Sequence, residues 1–349
     1  MKKTFFVLAI IILLLSACIL PGQSSPVETL PVPGGQTLSP GSACGDGLCN
    51  GPESPQNCPQ DCGSSPALPV TSTLPASAPP TGFQPAGADN TFWVTNPTSG
   101  AKLYVQVFYP NDWNGTDSLP ALVLLPGGIA ESDPQKAARL SGQGLLVIIF
   151  DADGRGKSEG TENYNGYITQ DGLAAVINAV TSLPGLDATR YGLVSFSYGV
   201  TAATGTLARY PDLPIKFYID WEGPVDRNYT TTGCGQNRAE GIQWQPCTDN
   251  AWWSEREAVN FIGSVRVPYQ RVQSQTDHVQ LNNNHAIDIV NAAVAGGVPW
   301  VRLNEYPPNQ TYDVNNPPPM LEDALDKQVD AIIARYAEYI ITQVLPNLK

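Results

Sequence analysis

The residues 191–199, Tyr-Gly-Leu-Val-Ser-Phe-Ser-Tyr-Gly, place an apolar stretch directly before Ser-x-Gly and a helix-favouring run at 200–209. That order predicts a strand turning abruptly into a helix with a serine at the bend, the nucleophile elbow. The positions two before and two after the nucleophile must be small, and Ser195 and Gly199 meet that demand for Ser197. A nucleophile at Ser195 would instead bring the bulky Leu193 into the crossing, so Ser197 is the candidate. A serine hydroxyl needs a base to take its proton. The chain has two histidines, His278 and His285, and so the choice of base is narrow.

These groups require a scaffold. From about residue 90, short runs rich in aromatic and β-branched residues alternate with helical stretches, which predicts a mostly parallel sheet with helices on both faces. Strands are expected at 91–94, 102–109, 121–125, 145–150, 191–196, 215–221, 269–273 and 300–304, the first two as an antiparallel pair. Helices are expected at 133–141, 170–182, 198–209, 283–295 and 321–344. Runs such as Leu-Val-Ile-Ile-Phe, apolar on both faces, suit the buried middle of a parallel sheet.

With the elbow, this order of eight strands resembles the α/β-hydrolase superfamily, in particular the catalytic domains of dienelactone hydrolase and prolyl oligopeptidase type, over nearly all of residues 90–349. Three further motifs carry the resemblance. Leu125-Pro126-Gly127-Gly128-Ile129 follows the third strand, where the family has its oxyanion loop. The amide of Gly128 or Ile129 would there join that of Tyr198 as the oxyanion hole. The run 151–160, Asp-Ala-Asp-Gly-Arg-Gly-Lys-Ser-Glu-Gly, resembles the family's loop after the fourth strand, with Asp153 where the pattern has Arg; Arg155 and Asp151 are expected to order it. Asp277 stands after the seventh strand, where the family places the acid that orients its histidine.

The family's own histidine is missing: after the eighth strand the chain offers Asn304 and Asn309, which cannot take a proton. Three readings follow. His278 acts as base, oriented by Asp277, Asp220 or Glu222, the last two lying at the end of the sixth strand. Or His285, at the start of a helix beside Asn282, Asn283 and Asn284, swings in. Or neither reaches, and the pocket binds without catalysing. The expected activity is that of a carboxylic-ester hydrolase, with a prolyl oligopeptidase-like peptidase second and a ligand-binding lipoprotein third. Such a domain without a large N-terminal propeller counts against the peptidase.

Between the sixth and seventh strands, about 223–267, lies an insertion expected to roof the site as a lid, closed by a Cys234–Cys247 disulfide. With Trp221, its Trp244, Trp252 and Trp253 are candidate substrate-binding residues, and rings of this kind suit an acyl chain, an aromatic ester or a sugar face. Equally, the lid tryptophans could form its own small core.

The remaining sequence reads as an address. Lys2 and Lys3 precede the apolar run 5–15, too short for a comfortable membrane span, and 15–18, Leu-Ser-Ala-Cys, resembles the lipobox of bacterial lipoproteins. Residues 1–18 are expected to be an export signal and Cys18 the lipidated residue, anchoring the protein to the outer face of the cell membrane. Residues 19–43 and 63–89 are Pro/Ser/Thr/Gly-rich linkers. Between them, 44–62 carries Cys44, Cys49, Cys58 and Cys62 and resembles a small two-disulfide module. Zinc is its competing reading, and Asp46, Asn50, Glu53 and Asp61 offer oxygens to calcium. No cofactor or metal is expected for the domain at 90–349. The net charge of -13 excludes nucleic acid as a partner, because such affinity comes from Lys and Arg releasing counterions.

Overall fold

A computed structural model of the chain describes residues 90–230, 234, 245–280, 282–322 and 327–348. The chain divides into two units, 1–65 and 66–349, and the described residues lie in the second. The export signal, Cys18, both linkers, the cysteine-rich module and Trp244 lie outside them.

Eight strands form one sheet: β1 Thr91–Thr95, β2 Lys102–Phe108, β3 Leu119–Leu125, β4 Leu146–Phe150, β5 Leu186–Phe196, β6 Phe217–Trp221, β7 Tyr269–Val272 and β8 Val301–Leu303. Their order is β1-β2-β4-β3-β5-β6-β7-β8. Only the pairs β1–β2 and β2–β4 are antiparallel; β4, β3, β5, β6, β7 and β8 run parallel. The helices are α1 Pro134–Ser141, α2 Tyr167–Ala179, α3 Gly199–Arg209, the short α4 Arg227–Thr230, α5 Asn250–Ser254 and α6 Ala258–Ile262, then α7 Asn284–Ala295 and α8 Lys327–Tyr339. One core joins α2, α3, α6 and α7 to the sheet, and a second joins α1 and α8 to its other face. The strand β4 is buried along its whole length because both faces are covered.

The expected elements are present with shifted ends. Strand β5 begins at Leu186, where Leu119 pairs with Leu186 across an irregularity before Ala121; Asp187, Thr189 and Arg190 interrupt its start, so no apolar run marks it. Helix α2 starts at Tyr167, and the last helix is seen from Lys327, continuing as a π-turn at Ile340–Val344. Asp133 caps α1, accepting from the amides of Gln135 and Lys136, with Pro134 in the first turn.

The feature that serves the site is at the C-terminal edge of the sheet. Ser197, Glu222 and Asn304, the residues just after β5, β6 and β8, have φ of 49°, 48° and 48°. Non-glycine residues rarely adopt this left-handed conformation, and it is held here by what surrounds it. Each donates its amide to the neighbouring strand: Ser197 to Trp221 O at 2.8 Å, Glu222 to Val272 O at 3.0 Å and Asn304 to Arg271 O at 2.9 Å. The chain therefore turns sharply while its last ladder bond is kept.

Close packing of the parallel strands yields a test of the fold. A Cβ on Gly192, in β5, would lie 2.3 Å from Cζ of the Phe217 ring on β6, closer than the ring allows. Overpacking of this kind costs about 1–3 kcal/mol. Gly192→Ala is expected to lower the urea midpoint with the slope unchanged, and an unmoved midpoint would contradict this packing.

Candidate active site

Ser197 sits half-buried at the elbow between β5 and α3, with the end of β3 pressed against it. A Cβ on Gly127 would lie 2.8 Å from Ser197 Cβ and 3.5 Å from its Oγ, and one on Gly199 would lie 2.6 Å from Pro126 O. Both positions need glycine because the backbone after β3 runs against the elbow. The close approach at Gly199 is thus to β3 rather than to Ser195. Ser195 points into the core, its Oγ 2.6 Å from Tyr218 Oη and 3.3 Å from Asp220 Oδ1, which removes it as a nucleophile.

The structure brings His278 to Ser197. Ser197 Oγ and His278 Nε2 are 2.8 Å apart, and His278 Nδ1 lies 2.9 Å from Glu222 Oε2. The loop after β7 turns back over β6 to make this possible. Its path is fixed by the buried carboxylate of Glu222, which accepts the amides of Ser274 at 3.0 Å and of His278 at 3.1 Å. The indole of Trp221 lies beside the imidazole, with ring centroids 4.5 Å apart.

Asp277 departs from the expectation that it would be the orienting acid. Its Oδ1 is 3.4 Å from His278 Nδ1, farther than Glu222, and it accepts the amides of Val279 and Gln280, both at 2.8 Å. Its Oδ2 faces away, toward His285 Nε2 at 3.1 Å and Gln273 Nε2 at 2.9 Å. The carboxylate directly on Nδ1 is therefore that of Glu222, one strand nearer Ser197, with Asp277 as a second carboxylate beside the ring. The chain position of Glu222, immediately after an apolar strand, is the signal for it.

His285 and Asp220, also candidates from the sequence, are engaged elsewhere. His285 is fully buried at the start of α7 and held by Gly223 O, Arg271 and Asp277 rather than by Ser197. Asp220 forms a fully buried ion pair with Arg271, with Tyr269 Oη at 3.2 Å, so it does not orient His278. On the ground of the absent histidine, Asn304 clips the backbone of Gln273 from both sides, accepting its amide at 2.9 Å and donating to its carbonyl at 3.0 Å. Asn309 accepts the amide of Val301 at 2.8 Å. Both asparagines are structural.

Electrostatics follow from this arrangement. Burial opposes charge on His278, but Asp277 and Glu222 outweigh it and push its pKa up from 6.5 to about 9. Burial alone would raise Asp277; the bonds from His278, His285, Gln280 and Gln273 instead hold it far below the usual carboxylate range. Donor atoms of Glu222, Asp277 and His278 lie within 4.8 Å of one another, a spacing open to a cation. Hydrogen bonds inside the protein already engage each of these groups.

Gly128 has φ 58°, and with Ile129, which is 45 % exposed, it continues the loop that touches Ser197. Tyr198 is buried, its hydroxyl 3.2 Å from Tyr164 O and its carbonyl accepting Asn165 Nδ2 at 2.9 Å. In the loop after β4, Asp151 accepts the amides of Ser132 and Lys157, and Arg155 grips Glu162 with two bonds, so this loop is architectural.

The lid tryptophans divide. Trp253 is wholly buried, donating to Pro246 O at 3.1 Å, which fits the core reading of the insertion's rings rather than a place at the substrate. Trp252 is half-buried, edge-on to Trp253 at 4.7 Å and covered by the Arg256 guanidinium at 4.0 Å. Cys234 and Cys247 are joined by the expected disulfide.

No family model and no curated protein sequence matches the chain. Solved structures do. A candidate dipeptidyl aminopeptidase IV from Bacteroides ovatus aligns with a TM-score of 0.54 at 17% identity, over 72% of this chain and 35% of that one. A puromycin-hydrolyzing peptidase of Mycobacterium tuberculosis aligns with a TM-score of 0.54 at 13% identity, over 74% and 39%. Dipeptidyl peptidase 4 of Porphyromonas gingivalis gives 0.52 at 17%, over 72% and 36%. The chain spans somewhat more than a third of the length of each. It has the α/β-hydrolase fold.

The contact between His278 and its carboxylates is open to measurement. His278 should titrate near pH 9 by NMR, and Glu222→Gln should lower that midpoint. Because the folded pKa is raised, the stabilisation is fully present below pH 6.5 and is lost as pH rises through about 9. A midpoint at the ordinary value in the unaltered protein would mean that the contact does not form.

Proposed function

We propose that the chain is a serine hydrolase that cleaves carboxylic esters through an acyl-enzyme, working from the outer face of a cell membrane. The observation that carries the reading is the unbroken line Ser197 Oγ, His278 Nε2, His278 Nδ1 and Glu222 Oε2, with separations of 2.8 and 2.9 Å. It has the roles of nucleophile, base and orienting acid. Neutral His278 takes the Ser197 proton as Oγ attacks the carbonyl carbon. The oxyanion that forms is met by the amides of Tyr198 and of Gly128 or Ile129. His278 then gives the proton to the departing alcohol. Water repeats the sequence to release the acid and free Ser197.

Peptide cleavage is the second reading, favoured by the printed descriptions of the structural neighbours as peptidases. The reaction steps are the same, with an amine as leaving group. The lipobox at 15–18 and the disulfide at Cys234–Cys247 support the outer location, since such bonds persist in oxidising compartments.

A fluorophosphonate probe should label the protein, and Ser197→Ala should abolish labelling. Hydrolysis of p-nitrophenyl acetate or butyrate should rise about tenfold per pH unit and level off near pH 9, because the neutral ring is the base. His278→Ala should lower kcat/KM by about 10²–10⁴-fold. Absence of labelling from pH 6 to 10 would defeat the enzyme reading. Faster turnover of dipeptidyl p-nitroanilides than of esters would select the peptidase. Separately, radiolabelled palmitate should be incorporated and lost in Cys18→Ser; no incorporation in the producing bacterium would remove the lipid anchor.

A further inference from the structure

His285 takes no part in the line from Ser197, yet it is the better buried of the two histidines. Its partners explain what it does. Nε2 lies 3.1 Å from Asp277 Oδ2, and Asp277 immediately precedes the base. Nδ1 lies 2.9 Å from Gly223 O, and Gly223 immediately follows the acid Glu222. The imidazole therefore lies between the segment that carries His278 and the segment that carries Glu222. Arg271 Nη2 is 3.1 Å from the same Nδ1, while its Nη1 donates to Gly223 O at 3.1 Å and pairs with Asp220. With Nε2 protonated toward Asp277, Nδ1 accepts from Arg271 Nη2 and has no proton for Gly223 O, whose donor is Arg271 Nη1; His285 therefore reaches Gly223 through Arg271. Tyr229 of the lid helix α4 packs against the ring at 5.2 Å and donates to Asp288, one turn further along α7.

The base needs such support because its own loop gives little. His278 is exposed as a residue and sits on a loop, six positions past the end of β7. Asp277 has two oxygens and two tasks. Oδ1 organises the turn that carries His278, and Oδ2 is anchored from below by His285 and Gln273.

We propose that His285 is a positioning residue: it binds Asp277 directly and Gly223 through Arg271, so that Glu222 and His278 are held in one frame and part of the charge of Asp277 is drawn away from the base. This rests on the serine hydrolase reading for its catalytic consequence, but its electrostatic half stands without turnover. The charged and titratable groups around the pair are Glu222 from the end of β6, Arg271 and Asp220 from the strands beneath, His278 on the loop, and Asp288 and Tyr229 from α7 and α4.

The test compares His285→Phe, which keeps a ring but no donor, with His285→Gln, whose amide nitrogen stands near the place of Nε2. In His285→Phe the NMR midpoint of His278 should move up by about half a unit or more, because Asp277 keeps more of its charge for the base. The kcat at neutral pH, per site titrated by fluorophosphonate, should fall about tenfold with KM little changed. His285→Gln should restore both. A lower melting temperature with unmoved midpoint and kcat, or a shift that glutamine does not reverse, would overturn the proposal. Should His285→Phe fail to fold, His285→Asn replaces it. The shorter amide reaches toward Gly223 and not Asp277, so it should behave as the donor-less variant, and equality of Asn and Gln would overturn the proposal. If the unaltered protein is never labelled, the hydrolase reading fails, while the His278 midpoint still decides the link through His285.

Discussion

Glu222 is the group on which the site depends. Its carboxylate is fully buried, and a buried charge is tolerated only when its lone pairs are met by donors. Ser274 and His278 supply three of them, two amides and one ring nitrogen. Satisfying Glu222 therefore requires the loop after β7 to fold back over β6, and that path delivers Nε2 of His278 to Ser197. The path of the loop and the line from Ser197 through His278 are consequences of one desolvated carboxylate.

That carboxylate is in turn placed by the backbone. Ser197 and Glu222 follow adjacent parallel strands in register, Phe196 opposite Trp221, and both turn through the left-handed region. Strands about 4.8 Å apart set the two side chains one spacing from each other, and the base drops in from the next strand along. Acid and base are thus both drawn in toward β5, compared with an arrangement that puts the acid after β7 and the histidine after β8. The vacated end of β8 keeps a left-handed residue, Asn304, whose amide side chain clips Gln273 and so fixes where the loop departs.

Much of this is legible in the chain. The order of strands, the elbow at Ser197 and the choice of His278 follow from apolar runs, small residues and the scarcity of histidine. The orienting carboxylate is another matter, because Asp277 stands after β7, where the family resemblance puts the acid, while Glu222 at the end of β6 is only one of the alternatives. In fact Asp277 spends Oδ1 on its own turn and Oδ2 on His285, and only Glu222 looks straight at Nδ1. Trp253 misleads for a related reason: sequence shows an aromatic cluster in the lid but not which ring the small helices α5 and α6 enclose. The polar start of β5 lacks any periodic signal, since pairing of Leu119 with Leu186, not burial, defines it.

Two carboxylates around one imidazole raise the question of what the second one contributes. In the proposed reaction, raising the pKa from 6.5 to about 9 would stabilise the imidazolium formed when Ser197 attacks, a gain of about 300-fold for full proton transfer. Below pH 9, however, the resting ring is protonated, and the fraction of neutral base falls by that factor below pH 6.5 and by somewhat less at about pH 7. The two effects largely offset each other, so near neutral pH Asp277, which shares this shift with Glu222, would give little net acceleration through this route. Its value there is geometric: the amides of Val279 and Gln280 on Oδ1 keep the turn closed, and the donors on Oδ2 keep that turn against the sheet. By this reasoning the carboxylate that matters for rate is the one whose loss misaligns the ring, and both Glu222 and Asp277 qualify through the backbone amides they collect.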